Sequence, residues 1–301
     1  MSVYDIIIIG GGPAGLTAAL YARRANKSVL ILEKGAFGGQ ITFSPKVENI
    51  PGFLSLSGNE FADHLVEQVL EQGAEVEVCE AQEIRNGEIK TVVTDSGDFQ
   101  AKAVIIATGA RHRLLGLERE KEFIGDGISF CAVCDGAFYQ GKTVAVIGGG
   151  NSALQEAILL SEQCKKVFVV QNLDTLTGEQ KLRDVLAARP NVEIILGTVV
   201  DSILGENSLT GIRIKKVADD TLSDLTIDGM FVAIGLIPQN EPFANVVKLN
   251  SYGYADTDES CTTNTPGIFV AGDCRSKKIR QVTTAASDGA VAALAACDYV
   301  G

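Results

Sequence analysis

The chain has 301 residues, 46% hydrophobic and 21% charged, with a formal net charge of −12 at pH 7. That length leaves room for two domains with separate cores, and the charge excludes a nucleic-acid partner, since nothing would neutralise phosphates. No apolar run approaches the ~18 residues of a membrane helix, and the start lacks the basic region and long apolar stretch of a secretory signal, so a globular, cytoplasmic protein without a membrane partner is expected.

Residues 3–9 form a continuous apolar run of the kind that fills a buried parallel strand. Gly10-Gly11-Gly12-Pro13-Ala14-Gly15 follows, then a predicted helix over 16–25 and a second strand over 28–32. Gly10, Gly12 and Gly15 have the G-x-G-x-x-G spacing. The first permits the tight turn, the second lets a pyrophosphate approach, and the third lets helix and strand pack closely. The helix start then offers unpaired N–H groups to that anion. Glu33, 18 residues beyond Gly15, is placed to accept hydrogen bonds from a ribose diol. Strand, turn, helix and acid together predict a dinucleotide site.

A helix is expected over 60–72, with Phe61, Leu65, Val66, Val69 and Leu70 on its apolar face, Asn59 capping its start and Gly73 ending it. Residues 89–100, with Ser96-Gly97 at the centre, read as a β-hairpin near the edge of the first domain. Ala107-Thr108-Gly109 ends a strand. Cys131-Ala132-Val133-Cys134-Asp135 comes next. Its two sulfurs can bridge within one turn, a helix N-terminus would lower a thiol pKa, and Asp135 is placed to give or take the proton of dithiol–disulfide exchange. Zinc would need a second ligand pair, and the chain offers only His64 and His112 and no further C-x-x-C, so no metal is expected. The other five cysteines read as small buried hydrophobes, and the two histidines as surface or linker residues.

The early pattern then recurs at an offset of 138 residues: a strand over 143–147, the turn Gly148 to Ala153, a helix over 154–164 and a strand over 166–170. Ala233-Ile234-Gly235 repeats Ala107-Thr108-Gly109. Gly148, Gly150 and Ala153, with Asn151 and Ser152 between them, give the G-x-G-x-x-A variant. The offset maps Glu33 onto Gln171, and residues 171–177 contain no Lys or Arg; Lys181 and Arg183 fall later, on a predicted helix. A nucleotide 2′-phosphate therefore lacks a charge-assisted partner. A neutral selector tolerates NAD, and a retained fold without a nucleotide stays open. Residues 269–273 run as an apolar strand into Gly272-Asp273, which sets a backbone amide and a carboxylate against a cofactor; residues 282–299 are alanine-rich and helical. The expected architecture is α/β, two Rossmann-like three-layer ββα domains with the second inserted into the first. The first comprises 1–113 and 244–301, the second 114–243, with crossings near 111–117 and 238–244.

A cysteine pair between two nucleotide-type units suggests an electron path that ends in a dithiol. The chain closely resembles the low-molecular-weight thioredoxin reductases of bacterial and archaeal type. The matching residues are Gly10 to Gly15, Glu33, Gly38-Gly39-Gln40, Glu48-Asn49 with Pro51-Gly52, Ala107 to Ala110, Cys131 to Gly136, Gly148 to Ala153, Gly235 with Pro238, Gly272-Asp273 and Arg280-Gln281. The resemblance implies FAD on the first domain, contacted by Gly12, Pro13, Ala14, Glu33, Gly39, Gln40, Asn49, Gly109, Asp273 and Gln281, with Thr108, Gly272 and Arg280 beside them. It implies Cys134 as the flavin-side sulfur, Cys131 as its partner and Asp135 as the acid–base group. It further implies a homodimer, a thioredoxin-like partner and rotation of the middle domain about the two crossings. Members using NADPH carry His-Arg-Arg and a further Arg where this chain has Gln171, Asn172, Leu173 and Thr177. NADH, NADPH, or a ferredoxin or flavodoxin-like protein are the candidate donors. A dithiol oxidase using oxygen and a non-enzymatic flavin redox sensor are the alternative readings.

Overall fold

A computed structural model describes residues 3–301. The chain forms two compact units: the first runs to Arg111 and resumes over Ile237–Gly301, and the second is His112–Leu236. The first unit opens with β1 (Val3–Ile9), α1 (Pro13–Arg24), β2 (Val29–Glu33), α2 (Gly58–Glu71) and β3 (Glu75–Val78), followed by β4 (Ala81–Arg85), β5 (Lys90–Thr94) and β6 (Gly97–Ile106). Strands β3-β2-β1-β6 form a parallel sheet, and β5 and β4 continue from β6 as an antiparallel meander. Both glycine-turn helices begin earlier than expected. Pro13 suits the first helical position because its missing N–H has no partner there in any case.

The predicted cap of the 60–72 helix needs correction. Ser57, not Asn59, caps α2: its Oγ accepts from Glu60 N at 3.1 Å while Glu60 Oε2 accepts from Ser57 N at 2.7 Å. The S-x-x-E pattern was present to be read. The hairpin at 89–100 forms, but its second strand is not an edge. It runs on to Ile106 and pairs with β1 over residues 100–106, because residues 103–106 are apolar and carry it through the core.

The crossing strand β7 (Ala110–His112) leads into the second unit, which contains β8 (Ile128–Ser129), α3 (Ala132–Asp135), β9 (Thr143–Ile147), α4 (Asn151–Ser161), β10 (Lys166–Val170), α5 (Gln180–Ala187) and β11 (Val192–Ile195). Then come β12 (Thr198–Leu204), β13 (Gly211–Lys216), β14 (Leu222–Thr226), β15 (Gly229–Val232) and the return strand β16 (Leu236–Pro238), which pairs with β7. Its parallel sheet has the order β11-β10-β9-β15-β8, with β12-β13-β14 as a separate antiparallel sheet. Back in the first unit, β17 (Ile268–Val270) joins β6 in parallel and α6 (Val282–Val300) ends the chain. The segment 238–244, expected as a crossing, belongs to the first unit. Phe243 is fully buried in its core, and the buried Asn240 amide donates to Gly253 O at 3.0 Å and Cys274 O at 2.7 Å.

Alternation along the strands explains the layers. Ile6 and Ile8 of β1 face α1 and α6, whereas Ile7 and Ile9 face Ile84 and Val92 of the meander. The second unit repeats this: Val144 and Val146 of β9 face Leu154 and Leu160 of α4, and Ala145 and Ile147 face Ile212 and Ile214 of β13. Each unit is therefore helix, sheet and β-layer. All four β1 isoleucines are essentially inaccessible, and truncating one to alanine costs about 2–5 kcal/mol. The alanine content of α6 has a packing reason. A Cβ on its Gly289 would meet the Ala14 carbonyl oxygen, so the two helices cross with their backbones nearly in contact.

Candidate functional site

The glycine turns of the two units are built alike. Gly10 N donates to Leu32 O at 2.8 Å, and Gly148 N donates to Val170 O at 2.9 Å. Both residues have positive φ (+113° and +131°), and a Cβ on either would strike a carbonyl, Ala107 O in one unit and Ala233 O in the other. Glycine is thus required at both. Gly15 is required for a different reason, since its Cβ would lie 1.9 Å from Gly10 O; Ala153 fits at the corresponding place in the second copy. The helices that follow, α1 and α4, start at Gly12 and Gly150 without any side-chain cap. Their first N–H groups remain available for an anion. Gly12 and Gly150 are the open positions: the nearest atoms to a Cβ there are both 3.9 Å away.

Other segments of the first unit converge on the start of α1. Gly38 N donates to Gly11 O at 2.8 Å, and Gly39 lies against Gly12 and Pro13. Gly272 abuts Ala14, its Cβ position being 2.8 Å from the Ala14 methyl. Next to it, Asp273 carries a buried Oδ1 with no hydrogen-bond partner, and burial pushes its carboxyl upward against the pull of Lys277 and Arg280. Arg280 donates to Asp273 O at 3.3 Å and stacks on the Tyr254 ring at 4.2 Å. Asn49 donates to Gln281 Oε1 at 3.3 Å, and Gln281 caps α6. Gln40 stands exposed on the turn that follows Gly39. Thr108 Oγ1 donates to Asn240 Oδ1 at 3.3 Å, and Gly109 has open space around it. Glu33 closes the far end, accepting from Gly11 N at 2.7 Å and Gly35 N at 2.9 Å. A cavity of about 380 Å³ opens beside it, lined in part by Gly10, Lys34, Thr108 and Phe243.

In the second unit the selector behaves differently. Gln171 is only 5% exposed, and its amide folds over Gly149 and donates to Thr175 O at 3.4 Å. Asn151 accepts from Glu179 N at 2.7 Å and Thr177 N donates to Gly149 O at 2.8 Å, so the 171–179 loop is tied down onto the fingerprint. Leu173 points half-exposed from this loop, and Lys181 and Arg183 lie on α5, as expected.

Cys131 and Cys134 form a disulfide with Cα atoms 5.3 Å apart. Cys131 caps the single helical turn α3, its sulfur accepting from Cys134 N at 3.2 Å. Val133 between them is exposed, and both cysteines are half-buried. Asp135 Oδ2 accepts from Ser129 Oγ at 2.6 Å, and its Oδ1 is buried without a partner. Burial raises the Asp135 carboxyl, with the Ser129 hydrogen bond opposing. Two groups here carried no sequence signal. Ser129 also accepts from Cys131 N at 3.1 Å and so ties the acid to the dithiol turn. Glu156 on α4 has a buried, unpartnered Oε2, and burial, with Asp135 adding to it, pushes it up to about 8. The remaining five cysteines are buried. His64 is exposed and stacks on Phe53. His112 lies at the crossing, as a linker residue is expected to, and is half-buried there: it stacks on Phe130 and burial lowers it to about 4.

Residues 4–289 match the family model described as pyridine nucleotide-disulphide oxidoreductase. The chain belongs to this family. A thioredoxin reductase of Listeria monocytogenes is 42% identical over 300 residues, covering 99% of this chain and 94% of that protein. A Clostridium pasteurianum protein described as a 34.2 kDa protein in rubredoxin operon is 42% identical over 299 residues, covering 99% and 97%. Among solved structures, thioredoxin reductase from Streptococcus pyogenes superposes with a TM-score of 0.94 at 41% identity, covering 99% of this chain and 98% of that one. Within the family the chain is of the low-molecular-weight thioredoxin reductase type, a flavoprotein disulfide oxidoreductase. Among the described residues no helix is long and apolar enough to cross a membrane.

Proposed function

We propose that this chain reduces the disulfide of a thioredoxin-like protein through the Cys131–Cys134 pair, with FAD held by the first unit. The observation that carries this is the half-buried disulfide with Asp135 tied to its turn through Ser129. The residues of the first unit fit the flavin nucleotide: the open Gly12, the uncapped start of α1, the orphaned Asp273 Oδ1 and the Glu33 carboxylate are the donors and acceptors that a pyrophosphate and sugar hydroxyls require. Pro13, Ala14, Gly39, Gln40, Asn49, Thr108, Gly109, Gly272, Arg280 and Gln281 complete the proposed cradle. Bound there, FAD supplies a two-electron carrier between donor and disulfide.

Opening the Cys131–Cys134 bond takes two electrons and two protons. Asp135, raised by burial, holds one of those protons in reach of the turn. In the exchange that follows, one cysteine thiolate attacks the partner disulfide and the partner sulfur that leaves takes the proton from Asp135; the second cysteine then gives its proton to Asp135 as it re-forms the Cys131–Cys134 bond, and that proton passes to the other departing partner sulfur. The exposed Val133 beside the sulfurs leaves the turn approachable.

The second unit supports a nucleotide through its open Gly150 and uncapped α4, but the buried Gln171 and the absence of a cation over 171–177 give a 2′-phosphate no partner. NADH, or a small redox protein such as a ferredoxin or flavodoxin, is therefore proposed as the donor ahead of NADPH. The clostridial relative whose description places it in a rubredoxin operon supports a redox-protein donor. Assembly as a homodimer in the cytoplasm completes the proposal. The test is anaerobic stopped-flow bleaching of the flavin with NADPH, NADH and reduced ferredoxin in parallel, followed by thioredoxin turnover with the best donor. Failure to turn over any thioredoxin, with rapid oxygen uptake on a dithiol, would replace this reading by a dithiol oxidase.

A further inference from the structure

The Gly272–Asp273 turn is fixed by a buried ionic cluster outside the proposed cradle. Asp288, on α6, is 6% exposed. Its Oδ2 accepts from Arg275 Nε at 2.8 Å, Lys277 Nζ at 2.8 Å and Gly272 N at 3.1 Å, and its Oδ1 accepts from Arg275 Nη2 at 2.9 Å. Burial alone would raise this carboxyl, but the Arg275 and Lys277 hydrogen bonds outweigh it and hold Asp288 ionised. The geometry also sets a competition. Lys277 Nζ is 2.8 Å from Asp288 but 3.8 Å from Asp273 Oδ1, the buried oxygen that has no hydrogen-bond partner. Lys277 is itself buried at its end, its side chain 7% exposed, so it has no route to water in place of a carboxylate.

We infer that Asp288 is a positioning residue that holds Lys277 away from Asp273, keeping the Asp273 carboxylate open to a hydroxyl of the flavin cofactor. This rests on the reading that the first unit holds FAD. Without the Asp288 charge, Lys277 needs a new anion, and Asp273 Oδ1 is one ångström beyond a hydrogen bond. The ammonium closes that gap and occupies the acceptor. Gly272 N loses its partner at the same time, so the turn loosens where it abuts Ala14.

The test uses the full chain, stripped of flavin and titrated with FAD by flavin fluorescence, as wild type, Asp288→Asn, Lys277→Met and the double variant, with thermal melting of each apoprotein. Asp288→Asn is expected to weaken FAD binding by about tenfold or more, and Lys277→Met to bind at least as tightly as wild type. The double variant is expected to regain most of the lost affinity while its apoprotein melts no higher than the single Asp288 variant. A purely structural role predicts no such rescue, so a double variant that binds as poorly as Asp288→Asn overturns the inference, as does wild-type affinity in Asp288→Asn. Lys277→Met keeps the Arg275–Asp288 pair and hence the fold, and a tenfold loss in that variant alone also overturns it. Wild-type apoprotein that takes up no FAD refutes the cofactor reading itself, a separate result that takes the inference with it.

Discussion

Glu156 offers a test of the dithiol unit that needs no substrate. Its side chain is half-buried on α4, one carboxylate oxygen is shielded without a partner, and burial followed by the charge of Asp135 moves it from the ordinary 4.5 to about 8. Such a group binds its proton more tightly folded than unfolded. Its contribution is fully present below the unfolded value and is lost as pH rises from 4.5 through about 8. At 1.36 kcal/mol per pH unit the whole change is about 5 kcal/mol, and the partial exposure of the side chain reduces it to about 2–3 kcal/mol. Glu156→Gln keeps the shape and stays neutral, so it lacks this slope. Urea midpoints measured between about pH 5 and about pH 9 should show wild type losing stability relative to the glutamine variant by that amount. Parallel curves across this range would refute the claim that Glu156 and Asp135 share a desolvated site.

The two open glycines separate the cofactor sites. Gly12→Ala and Gly150→Ala have room for the added methyl and a backbone that accepts it, so both should fold and melt like wild type. Gly12→Ala should lose FAD, whereas Gly150→Ala should keep FAD and lose only reduction by a nicotinamide; equal flavin content in the two would refute the assignment of FAD to the first unit. Cys134→Ser should abolish disulfide turnover with flavin content unchanged, and retained turnover would remove the dithiol from the mechanism. Replacing Gln171, Asn172 and Leu173 by His, Arg and Arg should speed flavin reduction by NADPH roughly tenfold or more, since each cation adds a charge-assisted contact; an unchanged rate would mean that the tied-down 171–179 loop itself excludes the nucleotide.

Elements set by local patterns were legible in the sequence. The strands at 143–147 and 166–170 have the bounds expected of them, because buried parallel strands read as unbroken apolar runs. The helices after the glycine turns were read three residues late, since Pro13 and Asn151 are already helical while the fingerprint occupies the same letters. The strand that ends at Ala107-Thr108-Gly109 is legible in the sequence, but its length and its pairing with β1 are not, because an apolar run says that it is buried, not which neighbours it will pair with. Side-chain partners were invisible for a related reason: no spacing marks Ser129 as the hydrogen-bond donor to Asp135 or Glu156 on α4 as a charge that Asp135 influences, and nothing near Gly272 points to Asp288.

The duplication adds what neither copy shows alone. Two turns with matching glycine φ angles and matching backbone partners differ at the residue that ends the second strand. Glu33 reaches across its turn with a carboxylate on Gly11 N, and Gln171 lies on Gly149 with its amide turned to its own loop at Thr175 O. The scaffold that tolerates no Cβ at Gly148 is kept, while the group that would read the nucleotide is turned inward. A unit that had lost its nucleotide entirely would have no physical need for an open Gly150, because alanine fits there in the protein alone. That open glycine favours a donor that still uses the second turn, and the Gly150→Ala variant, by costing nothing in fold, is the substitution that decides it.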